Sequence, residues 1–195
     1  YNMGAKIPYE LENPIDALIY GTADFTVTFL HKMGLKPNDI TTLSFISGII
    51  SIYFLYIKKF PEAALIYFIS YYFDCLDGYM ARKYKQISVF GDYYDHITDV
   101  LVNGLFIYTF FTHSNAPIFL KMINIAFLLL FLINQGCVDC YIKNNGMTSI
   151  TKYLCGFPNI NKKQIEYNLN QTKDFGCGTY IVICCLCMLA MEYYQ

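Results

Sequence analysis

Long runs of apolar residues are the feature that most constrains the fold of this chain. Residues 40–57 contain no charged side chain and are followed by a pair of lysines. Because a helix needs about 20 apolar residues to cross the hydrocarbon core of a bilayer, this run predicts a membrane-spanning helix. The same pattern predicts five membrane-spanning helices in all, at residues 40–57, 61–82, 91–112, 116–141 and 175–193.

The composition agrees with a membrane protein. Of the 195 residues, 55% are hydrophobic and 15% are charged, and the mean hydropathy is +0.34. Soluble domains usually carry about 25% charged and 45–50% apolar residues. So apolar a chain is not disordered, and a net charge of −1 excludes the basic footprint of a nucleic-acid-binding protein. We expect an all-α polytopic membrane helix bundle of about five to six transmembrane helices, with no nucleic-acid partner.

Two segments are more polar than the rest. Residues 14–35 alternate apolar side chains with aspartates and threonines, which predicts an amphipathic helix on the membrane surface. Residues 143–173 are polar and contain two glycines and a proline, which predicts a loop or a partly ordered connection. We therefore divide the chain into an N-terminal amphipathic juxtamembrane segment at 1–36 and a transmembrane domain at 37–195.

The basic residues predict the orientation in the membrane. With five spans, only Lys58, Lys59 and Lys121 of the 14 basic residues fall on one side, and the others fall on the opposite side. Because basic residues accumulate in cytoplasmic loops, the richer side is expected to face the cytosol. This places the N-terminus in the cytosol and the C-terminus across the membrane.

The acidic residues are concentrated where two spans reach that cytosolic side. Five of the 15 acidic residues lie within residues 74–99. Asp74 and Asp77 are three residues apart on one helix, and Asp95 and Asp99 are four apart on the next, so each pair shares a helical face. A short basic turn joins the two helices and makes them antiparallel neighbours. The sequence predicts that four carboxylates face each other across a gap.

Small residues and an arginine flank these carboxylates. Gly78 and Ala81 extend the first face with almost no side chain, and Gly91 begins the stripe on the second helix. Four close carboxylates cannot all stay ionised without compensation, and Mg²⁺ or Mn²⁺, which prefer oxygen ligands, supply it. Two such ions about 3.5–4 Å apart form the clamp used in phosphoryl transfer. Because Arg82 can pair with phosphate oxygens, the hypothesis is a two-metal site that binds a diphosphate at the lipid–water boundary.

Aspartates in membrane helices also have simpler explanations than a metal site. A single aspartate in a membrane helix can serve helix packing or a proton or ion pathway. Asp92 and His96, on an adjacent face, fit such roles. Four acids with two glycines and an arginine at regular spacing favour a metal-dependent transferase instead.

The segment also matches a known motif. It reads D-x2-D-G-x2-A-R-x8-G-x3-D-x3-D from Asp74 to Asp99 without a mismatch, and it resembles the signature of the CDP-alcohol phosphatidyltransferase (class I) family. Pro37, Asn38 and Thr41 resemble the P-N-x-x-T segment that enters the first span of that family. The two resemblances together cover residues 37–112.

The resemblance implies a reaction and an assembly. Family members transfer a substituted phosphoryl group from a CDP-alcohol to a second alcohol and release CMP, with a divalent-metal pair as cofactor. They are commonly homodimers of six-span subunits with a surface helix before the first span. The resemblance therefore implies a catalytic transmembrane domain in an integral membrane protein, with its active site on the cytosolic side, and a homodimer with membrane lipids as neighbours.

The resemblance also assigns roles to residues. The positions of Asp74, Asp77 and Asp95 resemble those of the metal ligands in the family. The position of Asp99 resembles that of the residue that is both a metal ligand and the general base. The positions similar to the nucleotide-binding ones are Gly78, Ala81, Arg82, Gly91, Asn38 and Thr41.

The substrates stay open at this stage. The short chain favours CDP-diacylglycerol as donor and a small polar alcohol as acceptor, and residues 81–91 resemble eukaryotic phosphatidylinositol synthases. Val100 departs from the basic residue that many users of phosphorylated acceptors carry after the last aspartate. Inositol, serine and glycerol phosphate remain candidate acceptors. The alternatives are a CDP-choline or CDP-ethanolamine transferase acting on diacylglycerol, and, in a different class, a non-catalytic carrier of divalent cations.

Overall fold

The computed structural model describes residues 6–142 and 161–194. Within those ranges the chain forms seven α-helices and no β-strand, which confirms the all-α prediction. Short 3₁₀ helices lie beside them at Tyr9–Leu11, Lys173–Phe175 and Glu192–Tyr194. The α-helices are α1 Pro14–Lys32, α2 Pro37–Tyr56, α3 Phe60–Lys83, α4 Val89–Thr112, α5 Ile118–Ile142, α6 Lys162–Thr172 and α7 Cys177–Met191.

Each predicted membrane span coincides with a helix. In the described part of the chain, three helical segments are long and apolar enough to cross a membrane, namely Pro37–Tyr56, Ile118–Ile142 and the continuous run Lys162–Tyr194. The helices α3 and α4 have 24 residues each, which is a sufficient length. These two helices are not among the three segments named above, and they carry the polar residues of the acidic segment. Their assignment as spans therefore stays a prediction.

The segment 143–173, predicted as a loop or a partly ordered connection, is helical over its last third. Residues 162–172 form α6, and residues 143–160 lie outside the described part of the chain. Asn161 caps α6, because its Oδ1 accepts a hydrogen bond of 2.9 Å from the backbone N–H of Gln164. The helix buries only Ile165 and Leu169, four residues apart, and it packs against α5. So narrow an apolar stripe is a weak helix signal in a polar sequence.

The helix α2 links the two helices that carry the acids. It packs against both α3 and α4, whereas few backbone positions of α3 and α4 approach one another. Ser44 and Ser70 each donate a side-chain hydrogen bond to the other's backbone carbonyl, at 2.9 and 2.8 Å. A Cβ added to Gly48 would lie 2.7 Å from a methyl group of Val102 on α4. Small side chains on α2 thus allow close packing on both sides.

The helix α1 covers the end of α3 that carries the acids. Its Tyr20, Ala23 and Val27 pack with Leu76 and Met80 of α3 in one buried cluster. The opposite side of α1 exposes large apolar residues, including Leu18, Phe25 and Phe29. The structure therefore confirms a helix at 14–32, with one face on the protein and an apolar stripe that is free to contact lipid.

The outer surface of the bundle is strongly apolar. Exposed large side chains run along α4 and α5, and they include Leu101, Tyr108, Met122 and Leu129. Soluble monomers rarely expose apolar patches of this extent. The surface agrees with helices that are surrounded by lipid.

Candidate active site

Three of the four predicted carboxylates converge. Asp74 on α3 and Asp95 and Asp99 on α4 each place one carboxylate oxygen within 4.8 Å of the other two. The three side chains are partly buried. Because α3 and α4 run antiparallel on either side of the 84–88 turn, the spacing of these residues brings them to the same end of the bundle.

The donor set of this cluster fits a hard divalent cation. It consists of carboxylate oxygens, which are the ligands that Mg²⁺ and Mn²⁺ prefer. Oδ1 of Asp95 is buried and has no hydrogen-bond partner among the described residues. A buried, unpartnered carboxylate oxygen is costly, and a cation is the simplest group that removes this cost.

Asp77 has a different environment. It is 4% exposed, and its Oδ2 accepts a hydrogen bond of 2.5 Å from Oγ1 of Thr41 on α2. It lies outside the three-carboxylate group that the described residues form, one helical turn after Asp74. Its role as a metal ligand stays a prediction. Thr41 is 3% exposed, and its hydroxyl faces Asp77 and the Pro37 carbonyl at 3.2 Å.

The glycines of the motif allow close approach of neighbouring side chains. A Cβ added to Gly78 would lie 3.0 Å from Nη1 of Arg82, so the guanidinium group lies over the glycine. A Cβ added to Gly91 would lie 2.9 Å from Oδ1 of Asn38 and 3.0 Å from Oγ of Ser88. The predicted nucleotide-binding positions therefore meet where α2 and α4 begin and α3 ends. Ala81 is partly buried one turn after Gly78.

Two interactions fix the ends of the helices around the site. Ser88 caps α4, because its Oγ accepts a hydrogen bond of 3.0 Å from the Gly91 N–H. Nζ of Lys83, at the end of α3, donates to Oδ1 of Asp24 on α1 at 2.6 Å. This hydrogen bond lowers the pKa of Asp24 below its usual value. Because the Asp24 side chain is 65% exposed, we expect the pair to orient Lys83 rather than to add much stability.

Two residues that were not predicted from the sequence support Asp99. Asn103 donates a hydrogen bond of 2.9 Å from Nδ2 to the backbone carbonyl of Asp99, and its Oδ1 accepts one of 2.8 Å from the Tyr67 hydroxyl of α3. These bonds connect α3 and α4 one turn beyond the carboxylates. A polar asparagine inside an otherwise apolar run was the available signal.

Relatives of the chain have been found among characterised proteins. It is 45% identical over 64 residues to a CDP-diacylglycerol–inositol 3-phosphatidyltransferase of Candida albicans, which covers 32% of this chain and 27% of the relative. It is 39% identical over 74 residues to the protein of the same name from Saccharomyces cerevisiae, covering 37% and 33%. It is 31% identical over 72 residues to an archaetidylinositol phosphate synthase of Pyrococcus horikoshii, covering 37% and 38%.

These matches cover only about a third of the length of each of the three relatives. No solved structure matches the chain significantly. The profile of the CDP-alcohol phosphatidyltransferase family matches residues 35–149, which is more than half of the chain and includes all four aspartates of the motif. The chain therefore belongs to the CDP-alcohol phosphatidyltransferase family.

Proposed function

We propose that this protein transfers the phosphatidyl group of CDP-diacylglycerol to inositol and releases CMP. The observation that carries the proposal is the convergence of Asp74, Asp95 and Asp99 within 4.8 Å, in a chain of this family. The inositol acceptor is supported by the two yeast relatives, which are inositol phosphatidyltransferases. Val100 stands where a basic residue would be expected for a phosphorylated acceptor, which agrees with an acceptor that carries no phosphate.

The proposed cofactor is a pair of Mg²⁺ or Mn²⁺ ions. Asp74, Asp95 and Asp99 would hold the metal, and Asp77 is proposed as the fourth ligand from its place in the motif. When bound, the ions supply positive charge that stabilises the diphosphate and the departing CMP. The convergent carboxylates and the unpartnered Oδ1 of Asp95 support this assignment.

The residues of the chain account for the remaining requirements of the reaction. Asp99 accepts the proton of the acceptor hydroxyl as its oxygen attacks the β-phosphorus. The new bond joins that oxygen to phosphorus, the bond from phosphorus to the bridging oxygen breaks, and CMP leaves with its electron pair. Arg82 pairs with the phosphate oxygens. The nucleotide approaches the backbone at Gly78 and Gly91. Ala81 and Asn38 are the proposed neighbouring contacts.

The cytosolic location of the site, and a homodimer, are parts of the same proposal. The cytosolic side is supported by the excess of basic residues on the predicted side of the acids. The homodimer is supported by membership of the family alone.

The proposal is tested with the full chain in lipid nanodiscs containing CDP-diacylglycerol and Mn²⁺. CMP release is measured after addition of inositol, serine, glycerol phosphate or inositol phosphate, and separately with CDP-choline and diacylglycerol. We expect inositol to give the highest rate and phosphatidylinositol as product. Asp99→Asn should lower that rate by at least a hundredfold, whereas Asp92→Asn on the adjacent face should not. If another acceptor gives the highest rate, that acceptor replaces inositol in the proposal. If no pair of donor and acceptor releases CMP, the proposal that the protein is an enzyme is rejected.

A further inference from the structure

A second group of buried polar atoms lies outside the metal-binding cluster. Oε2 of Glu12, Oδ1 of Asp16 and Oη of Tyr71 are all buried, and none has a hydrogen-bond partner in the described part of the chain. Asp16 is 8% exposed and Tyr71 is 5% exposed. Buried polar atoms in proteins are almost always hydrogen-bonded, and an unpartnered one is costly. Three such oxygens are candidate contacts for the polar groups of a bound ligand.

Two of these atoms converge on one glycine. A Cβ added to Gly178, at the start of α7, would lie 2.6 Å from Oδ1 of Asp16 and 2.8 Å from Oη of Tyr71. The two oxygens therefore face the same point from α1 and α3. Any side chain at this position would displace them. Glu12 lies four residues before Asp16, just ahead of the first turn of α1.

The N-terminal segment is held firmly in this place. Asn13 donates hydrogen bonds from Nδ2 to the Lys173 carbonyl at 2.7 Å and to Oγ1 of Thr179 at 3.0 Å. Its Oδ1 caps α1 by accepting from Ile15. The start of α1 is therefore anchored to the start of α7. This contact fixes Glu12 and Asp16 on either side of Asn13.

The group adjoins the proposed catalytic site. Tyr71 precedes Asp74 by three residues, so its ring lies one helical turn away on the same side of α3. A small molecule bound beside Tyr71 would therefore lie about one helical turn from Asp74 of the metal-binding cluster.

The chemistry of the group selects the kind of ligand. Two carboxyl groups repel a phosphate, so a phosphorylated acceptor is disfavoured. Burial raises the pKa of both Glu12 and Asp16 to about 7. At Glu12 the backbone N–H of Asn13 and the charges of Arg82 and Lys6 oppose the rise in pKa. At Asp16 the charge of Glu12 adds to the rise, and the backbone N–H of Gly178 opposes it. The pair is therefore only partly ionised at neutral pH, which favours an uncharged ligand over a cation. Hydroxyl groups suit it, because each can donate to a carboxyl oxygen and accept from a phenol.

We propose that Glu12, Asp16 and Tyr71 form the acceptor subsite, which binds the hydroxyl groups of an uncharged polyol beside Gly178. This inference rests on the proposed function and names the residues that recognise its acceptor. The subsite lies where α1, α3 and α7 meet, whereas the nucleotide is assigned to residues of α2, α3 and α4, so the two sets of residues share only α3.

The test separates binding of the acceptor from binding of the donor. Full-length Glu12→Gln, Asp16→Asn and Tyr71→Phe proteins are assayed in nanodiscs for CMP release, with inositol and CDP-diacylglycerol varied in turn. We expect the KM for inositol to rise at least tenfold and the KM for CDP-diacylglycerol to stay within twofold. Calorimetric titration with inositol, without turnover, should show the same loss of affinity.

Matched controls are available for two of these variants. Tyr72→Phe removes a neighbouring hydroxyl that pairs with Thr26 at 2.9 Å, and Glu10→Gln removes an exposed carboxylate from the same segment. Both should leave the KM for inositol unchanged. Tyr71→Phe keeps the buried ring, so it serves where a change at Asp16 prevents folding.

The outcomes distinguish this inference from the proposed function. If wild-type protein releases CMP with inositol but the three variants keep its KM, the subsite is rejected and the function stands. An equal rise in the KM for CDP-diacylglycerol also rejects it. A preference of the wild-type protein for serine or for a phosphorylated acceptor overturns the polyol assignment. No CMP with any acceptor rejects the function itself, and calorimetry then decides whether the polyol still binds.

Discussion

The hydroxyl of Thr41 donates a hydrogen bond of 2.5 Å to Oδ2 of Asp77, and both side chains are almost fully buried. The bond joins the first turn of α2 to α3 inside the motif. It gives the threonine of the P-N-x-x-T segment a structural partner besides the nucleotide that the motif implies. The hydrogen bond occupies Oδ2 of Asp77 and fixes the orientation of its carboxyl group.

The first prediction concerns that hydrogen bond. Thr41→Val keeps the shape of the side chain but leaves Asp77 without its donor, which costs about 1–3 kcal/mol. We expect a lower thermal stability. We also expect the rate of CMP release to fall about tenfold or more, because removing the partner that orients a metal ligand typically costs about 10–100-fold in metal affinity or activity, and Asp77 is a proposed ligand. Thr41→Ser retains the hydroxyl and should keep most of the activity. Equal activity of the two variants would mean that the hydrogen bond has no role in catalysis.

The second prediction concerns the metal. Asp74→Asn replaces one of three convergent carboxylates with an amide, which is a weaker ligand for Mn²⁺. We expect the Mn²⁺ concentration for half-maximal CMP release to rise at least tenfold. Electron paramagnetic resonance of free Mn²⁺ measures the loss of binding independently of turnover.

The control for the metal prediction is Asp92→Asn. This aspartate lies on the same helix as Asp95 but is exposed and outside the cluster. The Mn²⁺ dependence of CMP release by Asp92→Asn should match that of the wild-type protein. A similar shift in both variants would show that overall negative charge, and not ligation, attracts the ion.

The third prediction concerns the start of α4. Gly91→Ala places a methyl group 2.9 Å from Oδ1 of Asn38 and 3.0 Å from the Ser88 hydroxyl that caps the helix. One of the two must move, so we expect the KM for CDP-diacylglycerol to rise several-fold. Gly104→Ala is the matched control, because a Cβ there meets no described atom within 4 Å. The interpretation fails if both alanine variants have the same KM for the donor.

Local sequence patterns predicted the helices well. The predicted spans at 40–57, 61–82 and 91–112 agree within a few residues with Pro37–Tyr56, Phe60–Lys83 and Val89–Thr112. The length of each apolar run, together with the prolines and turn residues at its ends, is sufficient to predict these helices. The helix α6 was missed because only two of its residues are buried, and it depends on packing against α5.

The site was predictable to the extent that it depends on spacing along a helix. The intervals between Asp74, Asp95 and Asp99 place them at one end of two antiparallel helices, where the structure also has them. The bond between Thr41 and Asp77 was not predictable, because it depends on how α2 packs on α3. The buried position of Asp16 follows from docking of α1 on α7, which leaves no periodic signal in the sequence.

The last prediction concerns the effect of pH on stability through Asp16. Burial raises the pKa of Asp16 from 3.8 to about 7, and the nearby Glu12 adds to the shift. The folded-state pKa thus lies above the unfolded one, so the protonated form stabilises the fold below about pH 4 and this contribution is lost as the pH rises through 7. A shift of this size corresponds to roughly 4 kcal/mol. Asp16→Asn carries no charge at any pH and loses nothing over this range.

We therefore expect the Tm of Asp16→Asn, relative to wild type, to rise between pH 4 and pH 8. The measurement is thermal unfolding in detergent without acceptor or metal, and the difference between the two proteins cancels the titration of the other carboxylates. Asp174→Asn changes an exposed aspartate near the start of α7 and should give a difference that is independent of pH. A flat difference for Asp16→Asn as well would show that its carboxyl group is solvated, and it would remove the physical basis for a nearly neutral acceptor subsite.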